Sequence, residues 1–84
     1  MKFAHVKLYS TRTCPYCMME KAWLDDEKIE HQVVYVDQDQ VEAQKMVDQT
    51  QQMGVPVTEI SFENGKKEFV IGFNKPVLAQ ILKA

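Results

Sequence analysis

Tyr9-Ser10-Thr11-Arg12-Thr13-Cys14-Pro15-Tyr16-Cys17 is the stretch on which the reading of this chain turns. It joins an apolar strand pattern, residues 3–9, to a helical pattern over residues 16–27, and it holds both cysteines of the chain. Two thiols three residues apart at the start of a helix can close into a disulfide. The unpaired N–H groups and the dipole of a helix N-terminus also favour negative charge on a side chain held there, and so the thiolate. A Cys-x-x-Cys pair placed after a strand reads as a reversible redox centre.

Working outward, residues 3–9 alternate Ala4, Val6 and Leu8 against His5, Lys7 and Tyr9, which predicts a strand with one apolar face. Pro15 falls in the first helical turn, where its missing N–H does no harm. The helix carries Met18, Ala22, Trp23 and Leu24, and the acidic run Asp25-Asp26-Glu27 reads as its solvated end. Val33-Val34-Tyr35-Val36 is a continuous apolar run, as expected of a strand covered on both faces. Asp39 with Glu42 resembles a capping box opening a second helix, whose inner face is Ala43, Met46, Val47 and Thr50.

Gly54-Val55-Pro56 breaks the chain before a third strand over residues 57–62. Asn64-Gly65 predicts a tight type I′ hairpin into a fourth strand over residues 68–71. A final helix follows Gly72-Phe73, with Asn74 as its cap and Val77, Leu78, Ile81 and Leu82 toward the core. Trp23 and the methionines at 18, 46 and 53 read as core, and Met19 as exposed. The order is β-α-β-α-β-β-α. A right-handed crossover makes the first two strands parallel and the hairpin makes the last two antiparallel, with helices on both faces of the sheet.

Eighty-four residues allow one core, so residues 1–84 form a single domain in this reading. A hydrophobic content of 45% argues against disorder. The net charge of −2 comes with no Lys/Arg-rich face, which argues against a nucleic-acid partner. No apolar run approaches the ~20 residues that span a bilayer. The charged opening Met1-Lys2-Phe3-Ala4-His5-Val6-Lys7 lacks the apolar run of a signal peptide. The expected location is therefore the cytoplasm, away from membranes, where paired cysteines are more often catalytic or metal-binding than structural. Zinc would need further ligands, and His5 and His31 fall on a strand and a loop without the spacing of a zinc site, so no metal is expected.

The stretch from Tyr9 to Cys17, Gly54-Val55-Pro56-Val57, and Gly72-Phe73 before the last helix together resemble a glutaredoxin, or a close glutaredoxin-like redoxin, of the thioredoxin superfamily. The resemblance covers essentially the whole chain, and Cys-Pro-Tyr-Cys is the characteristic glutaredoxin tetrad. It implies a thioredoxin-like α/β fold with a four-stranded mixed sheet, and thiol–disulfide oxidoreductase activity. Cys14 would be the nucleophile and Cys17 the resolving thiol, with Arg12, Pro15, Tyr16, Val55, Pro56, Gly72 and Phe73 at the substrate groove. Generic X-Pro bonds are cis in only ~5–6% of cases, so a cis Val55–Pro56 bond is implied by the resemblance alone.

The resemblance further implies a monomer with no tightly bound cofactor, acting on protein or glutathione mixed disulfides. Its reductant would be glutathione, or a flavoprotein disulfide reductase in its place. Some relatives bridge an iron–sulfur cluster between two chains, but those more often lack the proline of this tetrad. Two departures bear on the reductant. Glutathione-using relatives commonly carry a basic residue three positions before the first cysteine; Thr11 stands there, with Arg12 one residue closer and Lys21 on the nearby helix. Their last loop has Gly-Gly followed by an acidic residue, whereas this chain has Gly72-Phe73-Asn74-Lys75, closer to redoxins recharged by thioredoxin reductase.

Overall fold

Alternating side chains make Phe3–Ser10 a strand, β1, in the computed structural model, which describes residues 3–83. The chain continues through α1 (Pro15–Asp26), β2 (Gln32–Tyr35), α2 (Gln40–Thr50), β3 (Val57–Phe62), β4 (Lys67–Ile71) and α3 (Lys75–Leu82). The element order is the expected β-α-β-α-β-β-α. The four strands form one mixed sheet in the order β2-β1-β3-β4. β1 pairs parallel with β2, β1 antiparallel with β3, and β3 antiparallel with β4.

Each face of the sheet buries its own core. Val6, Leu8, Ile60 and Val70 pack against Trp23 and Leu24 of α1 and Leu78 and Leu82 of α3. On the other face Tyr9, Val34 and Val57 pack with Met46 of α2. This corrects the one-sided reading of β1: Ala4 is exposed, whereas Tyr9 is buried and its hydroxyl donates to Glu59 Oε2 at 3.2 Å. Alternation marks the two faces of a strand, but a helix laid over the second face buries that one as well. Val77, expected inside, is one-third exposed on the outer side of α3, and Tyr35 is equally open at the end of the edge strand β2.

The caps and turns follow the sequence with three corrections. Asp39 Oδ1 accepts from the N–H groups of Val41 and Glu42, both at 3.1 Å, but Glu42 does not reciprocate. Its carboxylate pairs instead with Lys7 and with Lys45, the latter at 3.0 Å. Asn74 occupies the cap position of α3 without a capping bond from its side chain. The β3–β4 connection is not type I′, which needs positive φ at both central residues. Gly65 alone has positive φ (86°), its N–H donates to Phe62 O at 3.0 Å, and Phe62 N–H donates to Lys66 O at 2.8 Å. This is the three-residue loop with a glycine bulge, for which one glycine suffices. Among the described residues no helix is long and apolar enough to cross a membrane.

Candidate active site

Cys14 leaves the β1–α1 loop in an extended conformation (φ −94°, ψ 109°) and caps α1, with Pro15 opening the first turn. Its Sγ accepts the N–H of Cys17 at 3.2 Å, one of the helix donors that would otherwise lack a partner. Its own carbonyl takes the N–H of Met18 at 3.1 Å. Cys14 is partly open to solvent, while Cys17 is 1% exposed. The two sulfurs share one setting. Burial first, and then the hydrogen bond with Cys14, push the Cys17 thiol up to about 11, against smaller opposing contributions from Ser10 and the Thr11 backbone. One turn of helix thus separates an accessible sulfur from a buried one.

The facing wall comes from the segment before β3. Val55–Pro56 is a cis peptide, Pro56 is buried, and the Cys14 Sγ lies 4.0 Å from the Val55 carbonyl oxygen. The last loop is tied to the same wall, since Gly72 N–H donates to Pro56 O at 2.8 Å. Gly72 holds φ +79°, a conformation that glycine adopts without the steric penalty of a Cβ. Residues distant in the chain are therefore linked to the Cys14 sulfur, Val55 by direct contact and Gly72 through its bond to Pro56.

In the first turn of α1 Tyr16 is 64% exposed and Pro15 also faces solvent. Met53 (80% exposed) and Met18 (58%) lie at the surface, which corrects their assignment to the core, while Met19 is exposed as expected. Apolar character alone does not bury a residue; Met53 precedes the Gly54 break and has no element above it. Arg12 is held by Asp37, Nε to Oδ2 at 3.3 Å, and Lys21 by Asp25 at 2.9 Å. A cleft of about 110 Å³ beside Cys17 has both cations on its wall. Phe73 turns its ring toward Trp23, with centroids 6.3 Å apart at 57°, so it is half-buried in the α1/α3 core. Among the described residues no group of three or more His, Cys, Asp and Glu could hold a metal.

The sequence reading missed Glu20. It lies in the inner stripe of α1 with Cys17, Trp23 and Leu24, and its exposure is zero. One carboxylate oxygen, Oε2, accepts from the Thr58 hydroxyl on β3; the other, Oε1, is buried with no hydrogen-bond partner. Burial raises its pKa to about 7, and the Thr58 bond opposes that rise. The signal available in the sequence was its place three residues after Cys17 and three before Trp23.

A family model for glutaredoxin matches residues 6–63 of the chain. A glutaredoxin-like protein of 8.6 kDa from the rubredoxin operon of Clostridium pasteurianum is 33% identical over 78 residues, covering 93% of this chain and 97% of the relative. Among solved structures, the glutaredoxin of Archaeoglobus fulgidus superposes with a TM-score of 0.81 at 22% identity, over 96% of this chain and 88% of its own. That of Methanosarcina mazei Go1 gives 0.76 at 26% identity, over 92% and 76%.

Proposed function

The chain belongs to the glutaredoxin family, and on that premise we propose that it is a dithiol thiol–disulfide oxidoreductase. Cys14 attacks and Cys17 resolves. The observation that carries this is the Cys14 sulfur at the head of α1, partly open and accepting the Cys17 N–H, with the Cys17 thiol buried one turn below. Cys14 thiolate displaces one sulfur of a substrate disulfide, giving a mixed disulfide and one reduced thiol. Cys17 thiolate then attacks the Cys14 sulfur, expels the second substrate thiolate and leaves a Cys14–Cys17 disulfide. An extended substrate docks along Val55, whose backbone offers strand-like hydrogen bonds beside Cys14. Tyr16, Pro15, Pro56 and Gly72 form the surrounding groove, with Arg12 at its charged margin. The substrates are protein or glutathione mixed disulfides in a reducing compartment such as the cytoplasm.

Glutathione is the proposed reductant, bound weakly. The loop Gly72-Phe73-Asn74-Lys75 offers no carboxylate to the glutathione amine, and losing a charge-assisted hydrogen bond removes about 1.5–3 kcal/mol. That corresponds to roughly 10- to 100-fold in affinity. The same loop favours a second reading, in which a flavoprotein disulfide reductase recharges the protein.

Two variants and two reductants test this. Cys14→Ser abolishes exchange with a glutathionylated peptide, while Cys17→Ser still reacts and accumulates the mixed disulfide, read by intact mass. Identical behaviour of the two variants would overturn the roles. Turnover with thioredoxin reductase but none with glutathione and its reductase would replace the first reductant by the second.

A further inference from the structure

We infer that Gln52 is a positioning residue for the exchange reaction, its carboxamide holding the Gly54 backbone so that Val55 is ordered before a substrate arrives. This rests on the redox-pair reading above, with Val55 as the docking backbone, and adds to it the side chain that sets that backbone. Gly54 N–H donates to Gln52 Oε1 at 2.8 Å, and Gln52 Nε2 donates to Gly54 O at 3.0 Å. One side chain thus satisfies both polar groups of the residue before Val55. The carbonyl oxygen of Val55 in turn lies 4.0 Å from the Cys14 sulfur. A strand partner would make the same pair of bonds to one residue of an antiparallel ladder. Gln52 stands in for that partner at Gly54 and leaves Val55 to the substrate.

The segment between α2 and β3 has little other support. Among the described residues no backbone-to-backbone hydrogen bond holds Met53, Gly54 or Val55. After it, Pro56 O takes the Gly72 N–H at 2.8 Å. Before it, the Thr50 hydroxyl in the last turn of α2 lies 2.7 Å from Met46 O and 3.2 Å from Gln52 O. The Gln52 carboxamide spans the stretch between these two anchors. Its chemistry suits the task, since it carries an acceptor and a donor side by side, as a peptide group does. Glutamate would keep the acceptor and lose the donor, and lysine would offer no acceptor.

The same contact accounts for the glycine. Gly65 and Gly72 hold positive φ but Gly54 does not, so its backbone conformation does not call for glycine. A Cβ at Gly54 would instead lie 2.9 Å from Gln52 Oε1. Glycine leaves the room in which the carboxamide sits. Because Gly54 is exposed, Gly54→Ala displaces the flexible end of Gln52 and leaves the core untouched. Ordering the docking backbone in advance lowers the entropy that binding must otherwise remove. The gain is felt by a substrate that pairs with the Val55 backbone, and not by one that reaches only the Cys14 sulfur.

The test is single-turnover reaction of the reduced full-length chain with two probes that release the same chromogenic aromatic thiolate. One is a short extended peptide whose cysteine is disulfide-bonded to that thiol. The other is the symmetric aromatic disulfide, which has no peptide groups. Gln52→Ala should raise the half-saturating peptide concentration by about 5- to 10-fold, the worth of one or two ordinary hydrogen bonds. The maximal rate with the peptide, and the rate with the symmetric disulfide, should stay at the native values. Gly54→Ala should give the same shift, and the double variant should be no worse than either alone, because each removes one and the same interaction. The Gly54 amide, followed by NMR, should exchange with solvent faster in Gln52→Ala than in the native chain. An unchanged half-saturation in Gln52→Ala, an equal loss with both probes, or additive losses in the double variant would overturn the inference. Thiolate release from neither probe by the native chain would sink the redox-pair reading itself, and this inference with it.

Discussion

Replacing Glu20 by Gln should reverse the sign of the usual loss on core mutation and make the protein more stable above neutral pH. The carboxyl is wholly buried, and its pKa rises from 4.5 to about 7 on folding. The folded state therefore holds this proton more tightly than the unfolded state does. Below about pH 4.5 both states are protonated and there is no penalty. As pH rises from there toward 7 the unfolded chain ionises first and the native state loses stability, levelling off above 7. A rise of about 2.5 units, at 1.36 kcal/mol each, amounts to about 3 kcal/mol. Gln cannot ionise, and its oxygen can keep the Thr58 bond, but its amide leaves a buried donor unpaired at about 1–3 kcal/mol. That second quantity is independent of pH. The measurement is the difference in unfolding free energy between native and variant in urea, followed from about pH 4 to about pH 8. The native protein should lose about 3 kcal/mol relative to the variant across that range, a large part of the 5–15 kcal/mol typical of a small domain. Two curves that run parallel would show that Glu20 is not desolvated and would refute the reasoning.

Two further outcomes follow from the packing and the backbone. Phe73→Ala removes a half-buried ring from Trp23 and should lower stability by about 2 kcal/mol, less than the 3–5 kcal/mol of a fully buried ring; an unchanged thermal midpoint would place the ring in solvent. Lys28 ends α1 at φ 57°, where a Cβ is unfavourable, and its exposed side chain makes Lys28→Gly a gain of about 1 kcal/mol by urea titration.

Much of the candidate site was legible because its signals are local. Cys14-Pro15-Tyr16-Cys17 sets both the start of α1 and the offset between an outer and an inner sulfur, since three residues make nearly one helical turn. Gly72 could be placed at a turn because few other residues tolerate its conformation. Glu20 escaped because a glutamate in a helix normally reaches water, and only its position on the Cys17–Trp23 stripe argued otherwise. Met18 and Met53 were misplaced for the converse reason: an apolar side chain is buried only where another element covers it.

The sequence by itself determined the order of elements, the helix-capping cysteine pair and the breaks at Gly54 and Gly72, all carried by neighbours within about one turn of chain. Tertiary structure alone decided that Val55 meets Cys14 and Gly72 meets Pro56, that Tyr9 and Glu59 face each other beneath α2, and that Phe73 packs on Trp23. It also decided that the Glu20 carboxylate would be enclosed. Those outcomes depend on which surface covers which, and burial, the quantity that shifts proton affinities and sets reactivity, is a property of the assembled layers and of no segment alone.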